Sequence, residues 1–164
     1  MTDRRTFLKA GLAGSALLAA GGLAAWIVGR DAARDRDEVL AALIPVLLAG
    51  ALPVEPQART QAISRCVQLV GTAVEGLAPS AQEEAAQLFA LLAIAPTRLL
   101  ATGIASSWPD ASPQQVQAFL QSWRTHSWTL LESGYHALHD LVLGSWYADE
   151  ASWPAIGYGG PLKL

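Results

Sequence analysis

Cysteine is nearly absent. Cys66 stands alone in 164 residues, so the chain can form no internal disulfide, no multi-cysteine zinc site and no iron–sulfur cluster of its own. No C-x-x-C-H occurs, which removes covalent c-type haem. Charge is scarce as well, at 15% against 52% hydrophobic side chains, well below the roughly one quarter found in a usual soluble domain. A chain of this kind is not a solvated disordered tail; it buries or docks much of its surface. With a formal charge of −3 and no basic cluster, nucleic acid is excluded as an expected partner. G-x-S-x-G, P-loop and dinucleotide fingerprints are missing. Gly157, Gly159 and Gly160 lie past the last helical pattern in a proline-bounded tail, the wrong setting for a phosphate cradle. The length allows one small domain.

Part of the hydrophobic excess is local. Asp3-Arg4-Arg5-Thr6-Phe7-Leu8-Lys9 precedes 20 uncharged residues, Ala10 to Gly29, rich in Ala, Gly and Leu. The segment resembles the twin-arginine export pattern Ser/Thr-Arg-Arg-x-Phe-Leu-Lys. It matches at Arg4, Arg5, Phe7, Leu8 and Lys9 and departs where Asp3 replaces the hydroxyl residue. Such signals are addresses read by a receptor, and a plain amphipathic helix start has no need of two adjacent guanidinium groups before a low-charge run. As a helix, the run from Ala10 would extend about 30 Å, enough to cross a bilayer. No clean A-x-A cleavage site follows, and Trp26 could sit at the far interface. Residues 1–29 are therefore expected to be either a removed signal or a signal anchor. Without them the formal charge falls from −3 to −5, since Arg4, Arg5 and Lys9 outweigh Asp3.

Residues 30–147 read as helices punctuated by proline and glycine, with no run of alternating β-branched residues. Val39-Leu40, Leu43-Ile44 and Leu47-Leu48 repeat at helical spacing as far as Gly50, with Pro45 expected to kink or break the helix. A second helix starts near Pro56 and runs to about Leu77 with Cys66 inside it. Ser80-Ala81-Gln82-Glu83 has capping-box spacing and predicts the next start. Pro96 restarts the chain, and Ser106 to Asp110 forms a loop. Ser112-Pro113-Gln114-Gln115 supplies a hydroxyl cap, a proline where no donor is needed and a reciprocal glutamine. A long pattern follows through Phe119, Trp123, Trp128 and Leu138 to Trp146-Tyr147, with Gly134 as a joint. The expectation is an all-α bundle of five or six helices, preceded by a signal or anchor helix and ended by an extended Gly/Pro/aromatic arm, 148–164.

Between Ala85 and Trp123 only Arg98 and Asp110 are charged in 39 residues. Interface cores are depleted in charge and enriched in Trp, Tyr and Arg, so Arg98, Trp108, Trp123 and Arg124 are the expected anchors of a protein interface. The competing reading is an ordinary uncharged helix face, with Gln114, Gln115, Gln117 and Gln121 supplying polarity. Catalytic candidates are His126, His136, His139, Glu132, Asp140 and Cys66. His136 and His139 share a helix face with Glu132 one turn earlier, which outlines a metal site lacking further ligands and any H-E-x-x-H pattern. Helix-surface histidines bonded to neighbours are the expected alternative. Cys66 lies in an apolar helical stretch and reads as a small core residue.

The ending Trp146-Tyr147-Ala148-Asp149-Glu150-Ala151-Ser152-Trp153-Pro154-Ala155-Ile156-Gly157-Tyr158-Gly159-Gly160-Pro161 is the most distinctive stretch of the chain. Its aromatics offer large contact area at low entropic cost, and Pro154 and Pro161 favour an extended backbone. The arm either docks on a partner or packs on its own bundle. Together with the leader, the pattern G-x-W-Y…W-x-x-I-G-Y-x-G-P from Gly144 to Pro161 resembles the small subunits of membrane-associated FAD-dependent alcohol and sugar dehydrogenases. Gluconate 2-dehydrogenase subunit 3 and the sorbitol-dehydrogenase-type small subunits are the groups it is similar to. The chain is shorter between Tyr147 and Trp153 than the first group and lacks the aromatic-acidic segment of the second, so no substrate carries over.

The resemblance implies a non-catalytic accessory subunit with no cofactor of its own. Its partner would be a large flavoprotein of the glucose–methanol–choline (GMC) type that holds FAD, and a cytochrome c subunit often completes such complexes. The twin-arginine translocase would export both chains to the periplasm, with membrane association through residues 10–29 if the leader is retained. Trp146, Tyr147, Trp153, Gly157, Tyr158 and Pro161 would carry the docking. Two alternatives stand beside this: a membrane-anchored scaffold for a redox complex, and a small independent enzyme using a His136/His139/Glu132 metal site.

Overall fold

Proline opens four of the six helices in the computed structural model of the chain, which describes residues 31–160, the side chains of 155 and 156 excepted. The helices are α1 (Ala32–Leu47), α2 (Pro56–Glu75), α3 (Pro79–Ala93), α4 (Ala95–Thr102), α5 (Pro113–Arg124) and α6 (Thr129–Ala148). A 3-10 helix, η1 (Glu150–Ile156), follows. No strand occurs among the described residues, and the all-α bundle is as expected. The leader residues Arg4, Arg5, Phe7, Leu8 and Lys9, the run 10–29, and Pro161 lie outside the described residues.

A proline in the first turn loses no hydrogen bond, because the first amides of a helix have no intrahelical acceptor. At α2 the remaining donors meet Glu55, whose carboxylate accepts from Gln57 N (3.0 Å) and Ala58 N (2.6 Å). At α5 the anticipated capping box is present: Ser112 Oγ accepts from Gln115 N at 3.2 Å and Gln115 Oε1 accepts from Ser112 N at 2.9 Å. The box expected at Ser80 is not formed. Pro79 takes the first helical position, which moves the cap to Ala78 and puts Ser80 inside the first turn. Gln82 instead turns back to donate to the carbonyls of Glu75 and Leu77, both at 2.9 Å, closing the end of α2.

The core is organised around α1. Val39, Leu40, Leu43 and Ile44 are fully buried, and α1 packs against α2, α3, α5 and α6. Their i, i+1, i+4, i+5 spacing faces one stripe inward, and each such side chain contributes about 1.5–3 kcal/mol by leaving water. Pro45 neither ends nor interrupts the helix: it falls in the last turn, and Leu48 N still bonds Ile44 O at 2.9 Å. α3 and α4 meet at a 92° bend at Ile94, where the backbone is extended. Thr97 Oγ1 fixes the corner by donating to Leu91 O (2.7 Å) and Ile94 O (2.9 Å). Among the described residues no single helix is long and apolar enough to cross a membrane; α3 and α4 together reach that composition only across the bend.

The long C-terminal pattern breaks at Thr125–Trp128, giving α5 and α6, and not at Gly134. Gly134 lies within α6 for a packing reason: a Cβ there would stand 2.7 Å from Cζ3 of Trp123. The glycine lets α6 close onto the indole of α5.

Candidate docking surface

Four of the expected partner anchors lie inside the fold. Arg98 is 6% exposed, Trp108 3%, Trp123 1% and Trp146 5%. Trp108 Nε1 donates to Leu92 O of α3 at 2.9 Å, and Trp123 Nε1 donates to Ala101 O of α4 at 2.8 Å. Phe119 stands between the two indoles, 6.1 Å from Trp108 and 4.9 Å from Trp123. A tryptophan whose one polar atom finds a carbonyl can be buried whole; Trp108 ties the loop before α5 to α3, and Trp123 ties α5 to α4. Trp146 is buried with its Nε1 unpartnered and contributes through area alone.

Arg98 donates to Ala93 O (Nη1, 3.2 Å) and to Ile104 O (Nε, 3.4 Å). No carboxylate pairs with it among the described residues. Arg98 itself lies within α4, and its guanidinium reaches the carbonyl that ends α3 and one just past the end of α4, where helix C-termini present partial negative charge that favours a cation. The scarcity of charge between Ala85 and Trp123 follows in large part from the core, because Phe89, Leu92, Ile104, Val116, Phe119, Leu120 and both tryptophans turn inward. Sequence reasoning missed the residues it leaves outside. Leu99 is 48% and Leu100 87% exposed on α4, and Trp128 (69%) and Leu130 (52%) are exposed where α6 begins. Arg124, in the last turn of α5, is exposed as expected.

The C-terminal segment departs from the extended arm. Gly144 to Ala148 belong to α6, and 150–156 coil into η1. Asp149 joins them. Its carboxylate accepts from Ala151 N at 3.2 Å, and its carbonyl accepts from Ser152 N (2.9 Å) and Ser152 Oγ (2.8 Å). Pro154 fits inside η1 because a short 3-10 turn has few internal amides to satisfy. Gly157 then adopts φ 71°, the left-handed conformation that ends a helix, and Tyr158 N returns to Trp153 O at 3.0 Å. The Trp153 ring packs edge-on against Tyr158 at 5.1 Å, and its Nε1 donates to Tyr147 O at 3.0 Å. The result is a hook in which Trp153 joins the Tyr147 carbonyl to the Tyr158 ring, with Tyr147 43% and Tyr158 49% exposed.

Arg65 of α2 reaches this hook with two bonds to the Asp149 carboxylate, one from Nε and one from Nη2 at 2.8 Å. The guanidinium holds the Asp149 carboxyl below its ordinary range, and the aspartate raises the arginine in turn. Cys66, next to Arg65, is fully buried; burial and then the Asp149 charge push its thiol up to about 11. It is protonated at neutral pH and is no nucleophile there.

The remaining catalytic candidates do not converge. His126 Nδ1 accepts from Trp128 N (3.0 Å), and His139 Nδ1 lies 3.0 Å from Asp140 Oδ1. The rings of His136 and His139 rest 5.4 and 5.6 Å from Tyr135. Among the described residues no three His, Cys, Asp or Glu side chains come together to hold a metal ion. A surface hollow of about 230 Å³ lies between Thr102–Ile104 and Gln115–Ser122. Its polar groups are already used: Thr102 Oγ1 donates to Arg98 O (2.8 Å), Ser122 Oγ to Phe119 O (2.7 Å), and Gln115 belongs to the capping box.

No family model, curated protein or solved structure matches this chain. The aromatic hook is the candidate site that the geometry offers.

Proposed function

We propose that this chain is a non-catalytic accessory subunit that escorts a FAD-dependent, GMC-type dehydrogenase through the twin-arginine pathway and stabilises it in the periplasm. The observation that carries the reading is the pairing, in one sequence, of the Arg4-Arg5-x-Phe7-Leu8-Lys9 leader with the ending from Gly144 to Pro161. The reading is supported by two exposed tyrosines in this ending, Tyr147 and Tyr158, the second packed edge-on against Trp153. Tyr and Trp are the residues that give rigid, amphipathic contact area at low entropic cost. A flavoprotein acquires FAD in the cytoplasm and has to cross the membrane folded, so a large subunit without its own signal would travel on this leader. That gives a twin-arginine address a purpose on a small helical chain.

The test is export. With Arg4→Lys and Arg5→Lys together, both chains should stay in the cytoplasm, and normal export of the flavoprotein in that variant would reject the escort role. A gentle pull-down of the native full-length chain, followed by a visible spectrum, should show flavin absorbance in the co-purified material. The long uncharged run closed by Trp26 favours a second form of the same reading, an uncleaved leader that keeps the complex at the membrane. N-terminal sequencing of the exported chain separates the two forms.

A further inference from the structure

The amphipathic pattern of α4 is inverted. Pro96, Leu99 and Leu100, continued by Gly103 at the cap, follow the i, i+3, i+4, i+7 spacing by which a helix of a soluble domain meets its core. Here all four are exposed, Leu100 at 87%. The polar side chains of α4 are instead bonded within the fold. Arg98 is buried on the carbonyls of Ala93 and Ile104. Thr97 Oγ1 is engaged by Leu91 O and Ile94 O, and Thr102 Oγ1 donates to Arg98 O while accepting from Ile104 N at 3.1 Å. Three carbonyls near the end of the helix are partnered too: Arg98 O by Thr102, Leu99 O by Gly103 N at 2.9 Å, and Ala101 O by Trp123 Nε1. Pro96 has no amide to leave unpaired. Arg98 is the only charged residue from Ala85 to Pro109, so this stretch brings no charge to the surface.

We propose that α4 is a shallow membrane contact, with Leu99 and Leu100 seated in the interfacial layer of a lipid bilayer. Lipid fits this face better than another protein does. A stable protein interface takes about 20–30 residues a side and about ten hydrogen bonds. The outward stripe of α4 offers four residues and no side-chain donor or acceptor. A bilayer asks for the reverse, apolar side chains outside and polar groups already bonded inside the protein, since hydrocarbon gives them no partner. α3 and α4 together also have the apolar composition of a span, and their 92° bend suits contact by one limb rather than a crossing. Two leucines give only weak, reversible partitioning, so α4 orients the domain on a membrane and does not anchor it. The contact carries no charge and needs no anionic lipid. It does not depend on the accessory-subunit reading.

The full-length chain reconstituted in phosphatidylcholine vesicles tests this with a label on α4. In Leu100→Cys a maleimide fluorophore takes the new exposed thiol, because Cys66 is fully buried. Gln117→Cys, on the exposed face of α5, is the comparison. Doxyl-labelled lipid should quench the label at position 100 at least about threefold more than the label at 117, and aqueous iodide should do the opposite. Adding Leu99→Gln to the Leu100→Cys chain should lower the quenching by lipid about twofold or more, and Leu99→Ile should preserve it. Raising NaCl to about 1 M should change nothing, because screening acts on charges. Leu99 and Leu100 lie outside the core, so hydrogen exchange at α1 should match wild type in every variant. Equal quenching at 100 and 117, indifference to Leu99→Gln, or lipid quenching that disappears in high salt would overturn the proposal. So would a label at 100 that is shielded from iodide yet untouched by doxyl lipid: the chain's own leader, a second copy or another protein would then cover α4.

Discussion

The heart of the bundle around α4 and α5 and the hook after α6 look alike as sequence and end in opposite places. Both set aromatics among prolines and glycines, although residues 149–160 hold a single tryptophan and two carboxylates, Asp149 and Glu150. In the first, Trp108 and Trp123 reach carbonyls 16 and 22 residues away and are 3% and 1% exposed. In the second, Trp153 reaches only to Tyr147, six residues back, and leaves two tyrosines in water. Trp108 and Trp123 are core with their polar tips bonded to distant carbonyls, Trp146 is core with its Nε1 unpartnered, and Trp153, whose bond closes a local turn, is only half-buried. Aromatic content does not separate the two outcomes.

Substitutions in the two regions should break differently. Trp123→Ala should cost about 3–5 kcal/mol in a urea titration, the largest effect anticipated, because it opens a cavity against Phe119 and Gly134 and leaves Ala101 O without its donor. Gly134→Ala forces a Cβ to 2.7 Å from the same indole and should cost about 1–3 kcal/mol by overpacking. Gly144→Ala, in the same helix with nothing within 4 Å of the added carbon, should instead stabilise by about 0.5–1 kcal/mol. In the hook, Tyr158→Ala should change folding stability by less than about 0.5 kcal/mol yet reduce retention of flavin in the pull-down. A Tyr158→Ala chain that unfolds like Trp123→Ala would erase the distinction between core and docking aromatics.

Acid sharpens the same contrast. The Asp149 carboxyl is depressed, first by its hydrogen bonds from Arg65, so its contribution is complete above the ordinary carboxylate value of about 3.9. It is lost as pH falls through the lower native value. Hook amides should therefore lose protection below about pH 4, while Trp108 and Trp123, whose bonds to Leu92 and Ala101 involve no titrating group, hold their packing. Hydrogen exchange followed against pH in the otherwise unaltered chain, at the hook amides and at the indole N–H groups of Trp108 and Trp123, would show whether the two regions separate.

The helix starts at Pro56, Pro96 and Pro113, the Ser112–Gln115 box, the apolar stripe of α1 and the buried thiol of Cys66 were all legible in order of residues, because each depends on neighbours within a turn or two. Pro79 displaced the Ser80 box by a choice equally local: a proline claims the first helical position before a serine can cap. The break before Trp128, the role of Gly134 and the burial of Arg98 were not legible. The last two follow from contacts with distant parts of the fold, the Trp123 ring for Gly134 and the carbonyls of Ala93 and Ile104 for Arg98.

For the candidate site, residue order alone marked Tyr147, Trp153, Gly157 and Tyr158, and it marked the leader on which the export proposal stands. It could not say that Trp146 turns inward or that 150–156 coil into a 3-10 turn. Nor did any pattern point to Arg65, since a pair separated by 84 residues leaves no periodicity to read. The sequence by itself determined that this protein is helical, where most of its helices begin, and that its end is aromatic; these are properties of local backbone chemistry and spacing. Tertiary structure alone decided which tryptophans became core and which aromatics stayed in water, because that depends on which side chains and carbonyls distant elements bring around each ring.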